Sequence, residues 1–202
     1  MATSGAIGAL YIQSDIPTTF TNEATTTNAN YTIYKITNAV KRYWDKNTAI
    51  VVKKNGTTIT SGFNIEYAGG RIVFTTPNII TDAITVSGKY IPVSQSAGIF
   101  NWTLDSETEL ADVTTFASNG NKEFLSTINS YTVSADGYYG DETFFNNLSK
   151  EIVIVLYVNA TGDDRYEGFG IVNSSSIEVN FDGVINELIE ITGVGQIYYR
   201  ED

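Results

Sequence analysis

The first candidates for chemistry in this chain are its carboxylates, because its 202 residues include no histidine and no cysteine. That removes His-dependent triads, imidazole metal sites and histidine pH switches. It also removes disulfides and thiolate zinc sites. Asp105, Glu107 and Glu109 stand at i, i+2 and i+4 of a strand-like run, so one face of a strand would carry all three. Two such groups could supply the acid and base of a glycosidase. Nothing around them points to a substrate cleft, and a solvated charged face beside a loop is the commoner use of such a row. Gly162, Asp163 and Asp164, with Glu167 nearby, offer oxygen ligands to Ca²⁺. They lack EF-hand spacing and read as a turn. There is no phosphate-binding loop and no nucleotide-binding strand–helix–strand pattern. The chain is expected to be non-enzymatic and to need no metal or cofactor.

The composition bounds the partners. Net charge is −11, with 17% charged and 42% hydrophobic residues. That is an ordered, β-rich balance, not a disordered one. An acidic chain does not wrap nucleic acid, which needs clustered Lys and Arg, but it could let DNA pass without holding it. The first residues, MATSGAIGALYIQ, have no basic residue before their mild apolar patch and make a poor signal peptide. No run is long and apolar enough to span a bilayer as a helix, so no membrane partner is expected.

The stretch that must position everything else is DETFFNNLSKEIVIVLYV, residues 141–158. Its first half predicts a short helix over 141–149, capped by Asp141, with Phe144, Phe145 and Leu148 on one buried face. Two turns are unstable alone in water and need a bed. The run at 152–158 supplies it: apolar on both faces and β-branched, it predicts a strand inside a sheet.

Before it, residues 1–30 read as an arm or edge strand (7–12) followed by an exposed Thr/Asn loop (21–30). From 31 to 90 the pattern is a β-meander. Strands at 49–53 and 57–60 flank Asn55-Gly56, the strongest short hairpin signal. Phe63, Ile65 and Tyr67 alternate on the next strand, 68–70 turns, and strands follow at 71–75 and 83–90. The run PVSQSAG at 92–98 is the internal boundary, dividing a module of residues 1–92 from one of 93–202, or marking a joint within one continuous unit. Beyond it Phe100, Trp102 and Leu104 alternate on a strand, with Trp102 expected in the core. Residues 117–130 look irregular, and a loop that long is usually functional or interfacial. Strands are expected at 131–136, 165–172, 177–182, 185–191 and 196–199, ending on a charged exposed edge at 200–202. The fold class is mainly β: a β-sandwich or partly closed barrel with one short flanking α-helix, preceded by a β-meander.

The order of an aromatic strand with Trp102, the motif Asp112-Val113-Thr114 with Phe116, a long loop, a strand, a short helix and an apolar strand resembles the major tail tube proteins of long-tailed bacteriophages. The resemblance covers residues 98–202, including the helix at 141–149 and the strand at 193–199. The runs IEYAGGRIVF (65–74) and VSGKY (86–90) resemble the front half of some tail proteins. It implies a structural virion protein, assembled in the bacterial host cytoplasm, whose hexameric rings stack into a hollow conduit for genome ejection. Its partners would be copies of itself and other tail proteins, with DNA passing unbound. Neighbouring subunits' sheets would line the lumen, and long loops and the N-terminal arm would bind the adjacent ring. Asn119, Gly120, Asn121, Lys122, Phe124 and Leu125 are then inter-subunit contact candidates. Glu178, Asn180 and Asp182 form a lumen-facing row or an ordinary wet sheet face. The alternative function is a β-sandwich carbohydrate-binding or adhesin-like module, and a hydrolase on the acidic strand is a third.

Overall fold

A computed structural model describes residues 9–96, 98–140, 142–159, 163–179, 181 and 183–201. The fold is mainly β, 62% strand against 5% helical, in two sheets of which one curls into a half-barrel. The strands are β1 (Ala9–Gln13), β2 (Thr18–Thr27), β3 (Ile33–Ile36), β4 (Val51–Lys54), β5 (Thr57–Ile59), β6 (Phe63–Glu66), β7 (Arg71–Phe74), β8 (Ile84–Tyr90) and β9 (Val93–Gln95). Then come β10 (Ile99–Asp112), β11 (Phe124–Tyr138), helix α1 (Thr143–Asn146), β12 (Glu151–Asn159), β13 (Asp164–Glu178) and β14 (Asn186–Glu201). The two strand orders are β10-β11-β14-β13-β12-β1-β9 and β5-β4-β8-β2-β3-β7-β6. Two compact units result, Met1–Ser96 with Val153–Glu167 and Tyr198–Asp202, and Ala97–Ile152 with Gly168–Ile197.

In the first unit the meander closes over Phe20, Tyr34, Ile36, Trp44, Val52 and Ile72, all buried. The β4–β5 hairpin turns on Asn55 (φ 51°) and Gly56 (φ 81°), the left-handed pair that a two-residue type I′ turn requires. Residues 21–27 of the Thr/Asn run expected as a loop belong instead to β2, paired to β8 on one side and β3 on the other, and only 28–30 turn. Threonine is β-branched and suits a pleated surface. Its polarity hides the alternation that would reveal a half-exposed strand. Residues 7–12 are not a loose arm in their described part. β1 is paired to both β12 and β9, with Leu10 and Ile12 buried. In β12 every residue from Ile152 to Leu156 is buried, as the double-faced apolar run predicts.

In the second unit α1 is four residues long, shorter than 141–149. Asp141 lies outside the described residues, and Glu142, at the N-cap, makes no side-chain capping bond. Phe144 is buried and Leu148 half-buried, but Phe145 is 60% exposed. Successive helical residues diverge by about 100°, so i and i+4 share a face and i+1 does not. Trp102 and Leu104 are half-buried, not core, because β10 is the edge of its sheet. The strands expected separately at 185–191 and 196–199 are one, β14, and it lies inside its sheet. Neither terminal strand is therefore an edge: the edges of that sheet are β10 and β9.

Candidate functional site

The expected loop at 117–130 is only partly a loop. Residues 124–130 belong to β11, which returns antiparallel along β10 in register from Asp112↔Phe124 to Ile99↔Gly137. β11 meets β14 only over Thr132 to Tyr138. Above the pair Ser106↔Tyr131, the two strands are bonded only to each other among the described residues. The result is a two-stranded ribbon with a tip at 113–123. Tyr131 marks where it leaves the sheet: residues 124–130 are all exposed, and from Tyr131 onward every second residue is buried. The Tyr131 hydroxyl donates to Phe169 O, and burial pushes its pKa up to about 12. Its ring covers Gly193, where a Cβ would overlap the ring carbons, and a Cβ on Gly168 would meet the hydroxyl at 2.6 Å.

The tip is built by its own polar groups. Asp112 Oδ1 accepts from Thr114 N (2.9 Å), and the Thr114 hydroxyl oxygen accepts from Glu123 N (3.0 Å). Hydrogen bonds from the Thr114 side chain and backbone lower the Asp112 carboxyl pKa. Thr115 caps a single 3₁₀ turn, Phe116–Ser118, in a reciprocal capping box with Ser118. Asn119 (φ 50°) and Gly120 (φ 81°) then reverse the chain. This ordered turn holds Phe116 fully out in solvent.

The candidates Asn119, Gly120, Asn121 and Lys122 are exposed at that tip, while Phe124 (54% exposed) and Leu125 (59%) open β11. Leu110, Val113 and Phe116 join them as exposed apolar side chains that the sequence reading did not select as contacts, and Ile128, inside the stretch expected to be interfacial, is exposed too. The cross-strand pairs Leu110↔Ser126 and Ala111↔Leu125 put apolar groups on both faces of the ribbon. Its own sheet therefore cannot shelter it. Asp105 and Glu107 face Thr132 and Ser130, and Glu109 stands at a bulge between Thr108 and Leu110. All three are exposed, without ion pairs among the described residues. On an edge strand such charges discourage indiscriminate pairing.

A second exposed apolar cluster lies where β13 ends and β14 begins: Ile177, Val179, Phe181 and Val184. Glu178 is exposed there, at the last position of β13; Asn180 and Asp182 lie outside the described residues. The strand expected through 182 stops at Glu178.

The first unit holds an ion cluster that the sequence did not reveal. Arg165 and Glu167 are fully buried two residues apart on β13, with Arg165 Nε 3.1 Å from Glu167 Oε2. Arg200 donates from Nε to Glu167 Oε1 (2.9 Å) and from Nη2 to Glu66 (2.6 Å). The charged C-terminal segment expected at an exposed edge is thus partly buried in this cluster. Tyr43 Oη donates to Glu167 Oε2 at 3.4 Å, and burial first, then Glu167, raises its pKa. Burial alone would lower the Arg165 pKa, but its neighbours, Glu167 foremost, outweigh that and raise it. Glu167 is engaged by these donors, and the described residues hold no cluster of three or more acidic side chains fit for a metal. A cavity of about 320 Å³ beside the cluster is lined by Tyr11, Tyr43, Tyr157, Val40, Arg42 and Asp163, among others.

No protein-family model and no curated protein matches the chain. Among solved structures it is similar to the tail of an empty GTA particle with C6 symmetry, at 17% identity and TM-score 0.45, over 54% of this chain and 87% of that one. It is also similar to the virion of a native gene transfer agent particle, at 17% identity and TM-score 0.43, over 54% and 88%.

Proposed function

We propose that this chain is a non-enzymatic structural subunit that works by self-assembly, as the major tail tube protein of a long-tailed phage. In this reading its rings, hexameric by the family resemblance, stack into the hollow conduit through which the genome leaves. Assembly takes place in the host cytoplasm and the finished protein sits in the virion tail. The observation that carries the reading is the β10–β11 ribbon, a two-stranded arm with apolar side chains on both faces whose strands, among the described residues, bond only to each other beyond Ser106 and Tyr131. An isolated hairpin is at best marginally stable in water. Burying each of its large apolar side chains contributes about 1.5–3 kcal/mol. Association costs on the order of 4–15 kcal/mol, so no single side chain can drive it while the set can. The acidic balance suits a lumen that repels DNA phosphates.

Negative-stain microscopy and sizing of concentrated protein test this. Rings or hollow rods are expected. A species that stays a single subunit at every concentration, also beside other virion proteins, would overturn the reading. The tyrosine-lined cavity favours a second reading, a sugar-binding module, because aromatic faces with a few polar groups suit such ligands. Saturable oligosaccharide binding by a strictly monomeric protein would select it.

A further inference from the structure

Outside the arms and the ion cluster, one group of side chains brings a nucleophile, an amide and a carboxylate together. Lys54 ends β4, and its Nζ donates to Asn78 Oδ1 at 2.8 Å. The same Nζ lies 2.7 Å from Asp82 Oδ2. The Asp82 carboxylate is held by two further donors: Oδ1 accepts from Asn55 Nδ2 (2.9 Å) and Oδ2 from Ile79 N (3.0 Å). Asn78 is anchored through its backbone N–H to Tyr31 O (3.0 Å). Its Nδ2 is buried with no hydrogen-bond partner among the described residues. An amide nitrogen left this way carries an uncompensated desolvation penalty.

We infer that Lys54 and Asn78 join in a spontaneous isopeptide cross-link, with Asp82 as the proton-transferring group. Asp82 takes a proton from the Lys54 ammonium, and the neutral Nζ attacks Cγ of Asn78, one bond beyond the oxygen it already touches. Asp82 then returns the proton to Nδ2. The Cγ–Nδ2 bond breaks and ammonia leaves, protonated by the remaining proton of the former ammonium. One amide bond forms, one breaks, and nothing is oxidised or reduced. Holding the reacting groups in contact supplies the advantage of an intramolecular reaction, and an amine becomes a nucleophile on losing its proton. The Asp82 carboxyl is held down to about 2, chiefly by the hydrogen bond from Lys54, so it rests as a carboxylate and takes a proton only briefly. The product therefore accumulates slowly on standing. The bond would tie the end of β4 to the connection between β7 and β8. This inference does not depend on the assembly reading.

The test is the intact mass of the full chain, fresh and after warm incubation for days, followed by tryptic mapping. The expected result is loss of the mass of one ammonia, a missed cleavage after Lys54 and a branched peptide joining Lys54 to Asn78. Lys54→Arg keeps the charge and should retain the full mass, as should Asp82→Ala. Circular dichroism of each variant shows whether it has folded. An unchanged mass in folded wild-type protein would overturn the inference. So would an ammonia loss that maps to Asn55-Gly56 or Asn119-Gly120, which can each cyclise to a succinimide.

Discussion

Tyr131 lies flat on the backbone of Gly193, at the point where the β10–β11 ribbon leaves its sheet. A side chain at Gly193 would overlap the phenol ring. The ring cannot swing aside, because its hydroxyl is bonded to Phe169 O. Gly193→Ala should therefore destabilise the fold by about 1–3 kcal/mol, the usual cost of overpacking. Urea unfolding reads it. The double variant Gly193→Ala/Tyr131→Ala should lose less than the sum of its parts, and strict additivity would show that the ring and the glycine do not interact.

The same tyrosine predicts an alkaline weakness. Its pKa is raised from 10.0 to about 12 in the fold, by burial above all. Below pH 10 the phenol is protonated in both states and this contribution is intact. As pH rises through 10 the unfolded chain ionises first, and stability falls until the folded pKa is passed. The total loss from this group is about 2–3 kcal/mol. Tyr131→Phe should flatten the decline between pH 10 and 12 while lowering stability at neutral pH by the lost hydrogen bond, about 1 kcal/mol. An unchanged alkaline slope in that variant would assign the decline to other groups.

Arg165 and Glu167 make a prediction of opposite character. Both are fully buried, and Glu167 also receives Arg200 and Tyr43. Removing one partner leaves a buried charge only partly compensated, Arg165 by Asp163 and Glu167 by Arg200 and Tyr43, a loss that reaches about 3–5 kcal/mol. Glu167→Leu and Arg165→Met should each cost that much, whereas the double variant should cost less than either, as Arg200 keeps Glu66. Denaturant midpoints of the four proteins complete the cycle. A double variant at the sum of the singles would show that the charges do not offset one another.

These residues also mark how far the sequence is legible. The β4–β5 hairpin is readable because Asn55-Gly56 needs only local geometry. β12 is readable because an apolar, β-branched run has one stable place, inside a sheet. β2 is hidden because threonine on both faces leaves no contrast between inside and outside. The ribbon is hidden for a related reason: a strand exposed on both faces has no buried residue to set a period, so residues 124–130 look like loop. Arg165 and Glu167 look like surface charges, since only the convergence of β13 with Tyr43, Gly69 and Arg200 encloses them. A Cβ at Gly69 would overlap the Glu167 carboxylate, and no local pattern announces that contact. Of the proposed contact residues, Asn119 to Lys122 are legible as a turn, while the apolar groups flanking them acquire meaning only from the register of the two strands.

The ribbon offers the last prediction. Ser106 and Tyr131 face each other at its base, so residues 107–130 can be replaced by an Asn-Gly turn without disturbing the pairing below. The core of that unit, with Val133, Ala135, Ile189 and Ile191 buried, stays whole. The shortened chain should therefore keep its cooperative unfolding and lose its ability to form rings or rods. Phe116→Ser is the milder version: removing one exposed phenylalanine should weaken association roughly ten-fold or more, the equivalent of about 1.5–3 kcal/mol of lost burial, with thermal stability of the subunit unchanged. Residues 105–130 carry Asp105, Glu107, Glu109, Asp112 and Glu123 against the single Lys122. Bringing such arms together repels, and salt screens that repulsion within about 10 Å at 0.1 M. Assembly should rise with ionic strength in light scattering and fall when Phe116 is polar. Assembly that salt weakens would mean that attractive ion pairs, and not the apolar arm, hold the subunits together.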